Sequence, residues 1–154
     1  MQRTCLVLAA AALTLAAADP PGFVHWPSAQ LRGFEKSLAP KMNELKVATE
    51  QLGQFGNHLV MVAHRERSGE SEVHETVADI FIVQTGEATL VAGGKVIGGR
   101  TTAPGEIRGT AIEGGVKKRL GPGDLAHIPA NTPHQVLLEP GQQLTYVIVK
   151  VETK

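Results

Sequence analysis

From Asn57 to Arg65 the chain reads NHLVMVAHR, apolar on both parities, which is the pattern of a strand covered on two faces. The stretches DIFIVQT and EATLVA flank Gly86, LVA and KVI flank Gly93 and Gly94, and LTYVIVKV runs almost to the end of the chain. The glycine pair predicts a two-residue hairpin turn. In LLEPGQQL, Pro140 and Gly141 stand where a type II turn takes proline and then glycine. About ten short stretches of this kind, closely spaced with Gly and Pro between them, predict a sandwich or jelly-roll barrel from Val47 onward.

Upstream, DPPGFVHWP reads as an extended arm. Ser28 is placed to cap a short helix in which Leu31, Phe34 and Leu38 share one face, and Pro40 ends it or begins a second turn. Gly33 weakens that helix, so it must be held by packing against the body. Between Gly98 and Gly123 lie eight of the seventeen glycines. This segment is long for a barrel connection. With Ile107, Ile112 and Leu120 as apolar anchors, it reads as an excursion that adds short strands and a rim or lid, or else as surface elaboration.

A chain of 154 residues suffices for one domain with a real core. Fifteen basic and fifteen acidic residues give zero net charge. VKKRL, Val116 to Leu120, is the only tight basic cluster, so the chain lacks the charged face that nucleic acids bind. The first residues change the picture more. Arg3, an apolar run from Cys5 to Leu15 and the small residues Ala16 to Ala18 read as a secretory signal cleaved before Asp19. The expected organisation is a signal peptide (1–18), an arm with a short helix (19–46) and a barrel (47–154), in a periplasmic or secreted protein that no longer touches the membrane. Cys5 leaves with the signal, and the mature chain then has no cysteine. Any metal must be held by histidine and carboxylate.

Two stretches carry candidate chemistry. SEVHETVAD sets Glu72, His74 and Asp79 at the start of an otherwise apolar strand, where each polar group is costly to bury without a partner. Glu72 and His74 are two apart on a strand and share a face. In GPGDLAHIPANTPHQVLL, the Pro129 to Pro133 segment forms a tight bend. Asn131 tolerates the positive φ that such a bend requires. Thr132 is held extended by the proline after it, and the side chain so aimed is His134.

These two stretches resemble the paired motifs of the cupin superfamily. In the second motif Gly123, Pro129 and His134 match in register, Asn131 takes the place of a glycine, and Leu138 stands where the pattern closes on asparagine. In the first, His74 matches the second histidine and Gly86 the glycine, while Glu72 replaces the first histidine and Asp79 the glutamate. The resemblance runs from about Val47 to Val151. It implies an all-β cupin double-stranded β-helix, a jelly-roll barrel carrying a short N-terminal helical arm.

Cupins commonly hold one divalent metal through three histidines and a glutamate. By that analogy Glu72, His74, Asp79 and His134 are the metal-ligating candidates here. Such a mixed nitrogen and oxygen set suits iron, manganese, nickel or zinc. Aspartate is one methylene shorter than glutamate, so Asp79 is expected to coordinate through a water or to orient His74, leaving three direct ligands. Asp79 and His127, the latter in DLAHIP on the face of Leu125, are the candidates for moving a proton. The leading expectation is a metal-dependent enzyme acting on a small molecule. The alternatives are a non-catalytic module that binds a small ligand or the ion, and a barrel retained for dimerisation. A homodimer is expected in each case, because exposed strand edges invite a second copy.

Overall fold

The structure, a computed structural model, describes residues 18–153, so the stretch read as a signal peptide lies outside the described residues except for Ala18. An extended arm leads into helix α1 (Ser28–Leu38) and one 3-10 turn (Ala39–Lys41). Thirteen strands follow. They are β1 (Val47–Phe55), β2 (His58–Arg65), β3 (Ser71–His74), β4 (Val77–Gly86), β5 (Ala88–Ala92), β6 (Lys95–Ile97) and β7 (Arg100–Ala103). Then come β8 (Glu106–Gly109), β9 (Ala111–Glu113), β10 (Val116–Leu120), β11 (Leu125–Ile128), β12 (His134–Leu137) and β13 (Leu144–Glu152).

Every strand pairing is antiparallel. One sheet has the order β1-β2-β13-β4-β11 and the other β10-β5-β12-β3-β8-β7. Their facing sides close on a shared core. Phe81, Val83, Tyr146 and Ile148 come from the first sheet, Leu90, Leu120 and Val136 from the second. β2 is covered on both faces, as its sequence implied. Met61 and Ala63 point into the barrel, while Val62 lies under α1 with Phe34 and Leu38.

Helix α1 spans the expected residues, but Ser28 is its first helical residue, the cap position falls on Pro27, and no side chain caps it. Gly33 meets nothing that would strain a larger side chain. Packing therefore holds the helix, through Phe34 and Leu38.

One expectation about the chain's path needs correction. Gly93 and Gly94 do take positive φ, yet β5 and β6 do not pair as a hairpin. β5 lies between β10 and β12, and β6 leaves to form a two-stranded ribbon with β9. The barrel offers β5 longer partners than three-residue β6 could supply. The glycine-rich segment adds short strands, as expected. Its β8 pairs with β3 and its β10 with β5, so it is built into the second sheet. The Pro140–Gly141 turn is as expected, with Gly141 at φ 82° and Gln142 N–H donating to the Glu139 carbonyl at 3.0 Å. Among the described residues no helix is long and apolar enough to cross a membrane.

Leu38 is 1% exposed and anchors α1 on the barrel. Truncating it to alanine should lower unfolding free energy by about 2–4 kcal/mol in urea denaturation. A loss near zero would mean that the helix is not held by this contact.

Candidate metal centre

The two candidate stretches meet because β3 and β12 are neighbours, with His134 opposite Glu72. Asn131 has φ 59°, and its N–H donates to the His74 carbonyl at 2.7 Å. The bend that aims His134 is therefore tied to the strand that carries His74. The two imidazole centroids are 5.3 Å apart. Glu72, His74 and His134 each turn one donor atom inward, and those atoms lie within 4.8 Å of one another.

Asp79 arrives from the opposite sheet. Its Oδ2 stands 3.4 Å from His74 Nε2 and 3.5 Å from His134 Nε2. Lys150 is opposite Asp79 in the β4–β13 register. Its Nζ donates to both Asp79 oxygens at 2.9 and 3.1 Å and lies 2.9 Å from His74 Nε2. Asp79 is thus held by an ammonium, while its Oδ2 stands as near both imidazole Nε2 atoms as Glu72 Oε2, which lies 3.4 Å from His74 and 3.8 Å from His134.

Each imidazole is oriented from behind. His134 Nδ1–H donates to the Thr132 carbonyl at 3.0 Å, which turns Nε2 inward. His74 Nδ1–H donates to Glu106, 2.7 and 2.8 Å from its two oxygens. A carboxylate or carbonyl on the far nitrogen is the usual support of a metal-ligating histidine. Arg108 closes the group by pairing with Glu72 and, at 3.3 Å, with Glu106.

The electrostatics follow from this geometry. Three carboxylates, Glu72, Asp79 and Glu106, face two fixed cations, Arg108 and Lys150. Among these five groups one negative charge is left over, and a proton on an imidazole, a bound cation or the nearby Arg65 guanidinium can balance it. Burial opposes charge on His74, but hydrogen bonds to Asp79 and Glu72 outweigh it and raise its pKa to about 9. Burial would raise Glu72, yet its hydrogen bond with His74 and the nearby Arg108 charge hold it down at about 2. Asp79 is likewise buried, and the close imidazoles of His134 and His74 with the Lys150 charge keep it far below the usual carboxylate range. Lys150 can donate to His74 Nε2 only while that ring is neutral. When the ring is protonated its Nε2–H turns to Asp79 or Glu72 instead. Proton and metal thus compete for the same nitrogen.

The donor set fits a divalent ion. His134 Nε2 is buried and has no hydrogen-bond partner among the described residues, an orphaned lone pair aimed at the point where Glu72 and His74 also converge. Such groups are rare and require an explanation. Two imidazoles and a carboxylate also form a common three-ligand set that leaves coordination positions open.

His127 is not part of this site. It pairs with Ile80 on the outward side of β4 and is exposed, whereas Ala126 opposite Phe81 faces the barrel. Strand parity explains the miss, since sharing a face with exposed Leu125 puts His127 in solvent. Three contributors were not legible beforehand. Lys150 shares the parity of Tyr146 and Ile148 along β13, which was an available signal. Glu106 and Arg108 had none, since only the β3–β8 pairing brings them to His74 and Glu72.

No family model matches the chain, and no curated protein matches it in sequence. Solved structures do match. The protein TT1209 of Thermus thermophilus shares 21% identity over 77% of this chain and 94% of its own, with a TM-score of 0.54. A protein of Klebsiella pneumoniae with a double-stranded β-helix domain shares 18% over 73% and 82%, with a TM-score of 0.53. The nucleoside dehydratase Pac13 of Streptomyces shares 13% over 73% and 75%, with a TM-score of 0.51. The fold is the double-stranded β-helix. Proteins of this fold include enzymes, and this chain carries a possible metal triad within it.

Two outcomes test the electrostatics. In the chelator-treated protein, stability held by His74 is complete below its ordinary 6.5 and is lost as pH rises through about 9. Stability held by Glu72 is present above its ordinary 4.5 and is lost as pH falls toward about 2. Urea midpoints across pH should show both limbs, and His74→Asn should remove the alkaline one. Separately, Lys150→Met leaves the Asp79 carboxylate without its ammonium, which should destabilise the metal-free protein by about 2–4 kcal/mol. An unchanged thermal midpoint would contradict that pairing.

Proposed function

We propose that this protein is a metal-dependent cupin enzyme that acts on a small molecule. Glu72, His74 and His134 would hold one divalent transition metal, iron, manganese, nickel or zinc, as a chain without cysteine in its mature part requires. The observation that carries this reading is the buried, partnerless Nε2 of His134 converging with His74 and Glu72. When bound, such an ion polarises a substrate oxygen or activates water at its open positions.

The chain's own residues supply the rest. Glu106 and the Thr132 carbonyl orient the two imidazoles. Arg108 holds Glu72 in place. Asp79 and Lys150, hydrogen-bonded on the inner wall beside His74, form a fixed ion pair that sets the charge around the two imidazoles. Asp79, held ionised by that ammonium and the imidazoles, orients the rings in this reading rather than storing a proton.

One observation favours a second reading, a non-catalytic module that binds a small ligand. The Lys150 ammonium already stands 2.9 Å from His74 Nε2 and takes the lone pair that an ion would need.

Elemental analysis of the purified mature chain decides between them. The metal reading expects one transition metal per chain, lost in both His74→Ala and His134→Ala. An absence of metal in wild type after growth in supplemented medium would favour the non-catalytic module.

Secretion and self-association belong to the same proposal. The Arg3, Cys5–Leu15 and Ala16–Ala18 pattern supports export to the periplasm or beyond, with a mature chain starting at Asp19. A homodimer through strand edges would complete the assembly. Intact mass of exported protein and light scattering of the purified chain test these two points, and an uncleaved monomer would overturn both.

A further inference from the structure

Arg65 ends β2 with its side chain turned into the barrel, where it is only 8% exposed. Every other arginine near the site has an acid partner: Arg108 pairs with Glu72 and Glu106, and Arg100 with Glu70. Arg65 makes no ion pair among the described residues, and its Nε is buried without a hydrogen-bond partner. A guanidinium cannot shed its charge, so burying it unpaired is costly. Its guanidinium carbon lies 5.9 Å from the centroid of the Tyr146 ring, a contact that offsets only part of that cost.

The surroundings show what the charge faces. Arg65 lines a cavity of about 200 Å³ inside the barrel, together with the apolar Met61 and Phe81, Tyr146, and the already paired charges of Glu72 with Arg108 and Asp79 with Lys150. It also lines a neighbouring hollow of about 220 Å³ toward Leu45 and Gly69, so it stands between the two. From Arg65 an aromatic row leads to the metal triad: Tyr146 packs edge-on against Phe81 at 4.9 Å, and Phe81 against His134 at 6.1 Å. The cavity therefore has a guanidinium without an ion pair and an apolar aromatic floor, and of the three convergent donors Glu72 reaches its wall.

We propose that Arg65 anchors the carboxylate of a small organic anion, whose carbon skeleton lies along Tyr146 and Phe81 toward Glu72, His74 and His134. A planar guanidinium takes a carboxylate through two parallel hydrogen bonds, which fixes the direction in which the rest of the molecule extends. This names the substrate class of the metal centre proposed above and rests on that reading for its catalytic meaning, but the anion site itself stands on Arg65.

The test uses the mature protein, both metal-loaded and chelator-treated, titrated calorimetrically with acetate, succinate, inorganic phosphate and neutral succinamide, with metal content measured alongside. Saturable binding of a carboxylate but not of succinamide is expected, weakened by about tenfold or more in Arg65→Met. That variant should keep its metal content. It should also melt no lower than wild type, because it removes a buried unpaired charge. Arg65→Lys, which keeps the charge but not the fork, should bind more weakly than wild type and more tightly than Arg65→Met. Undiminished carboxylate binding to Arg65→Met, no carboxylate binding by wild type, or binding of phosphate alone would each overturn the proposal. Binding that depends on Arg65 in a protein that never holds metal would overturn the metal reading and leave the anion site standing.

Discussion

The closure of a charged cluster inside an apolar barrel is the constraint on which the site depends. Glu72, His74, Asp79 and His134 are set among Phe81, Tyr146 and Ile148, where an unpaired polar group is costly. Lys150, Arg108 and Glu106 make the arrangement tolerable by supplying opposite charges and hydrogen bonds at close range. Two groups escape that closure, the Nε2 of His134 and the guanidinium Nε of Arg65. They face into the barrel from different strands, and each has the chemistry of a ligand contact: a lone pair for a cation and a donor for an anion.

The division of labour between the sheets explains how the cluster is held. The second sheet brings Glu72, His74, Glu106, Arg108 and His134 together on β3, β8 and β12, so their spacing follows from strand register. The first sheet contributes Asp79 and Lys150 from β4 and β13, and Arg65 from β2. A ligand in the cavity thus contacts both sheets at once. Packing between Phe81 and Tyr146 on one side and Val136 and Leu90 on the other sets the depth of the cavity.

Replacement of a histidine by Glu72 and of a glutamate by Asp79 changes the electrostatics relative to the motif the chain resembles. Added negative charge is met by Arg108 against Glu72 and Lys150 against Asp79. The shorter aspartate side chain holds its cross-strand lysine while its Oδ2 stays beside both imidazoles. Both departures from the motif sit in one network of paired charges.

Much of this was legible in the chain itself. The two-sided apolar run of β2, the helical spacing of Leu31, Phe34 and Leu38, and the bend that aims His134 are local matters of periodicity and backbone restriction. The motif register brought His74 and His134 to one place for the same reason. Only the tertiary structure could add Glu106 and Arg108, because their roles depend on the pairing of β8 with β3, about thirty residues away in sequence. It alone turned His127 outward, placed Lys150 on Asp79, and left Arg65 buried without an ion pair among the described residues. Sequence determines which residues carry charge and which way a strand alternates. Which charges meet is decided by the register between strands distant in the chain, and local preference does not encode that register.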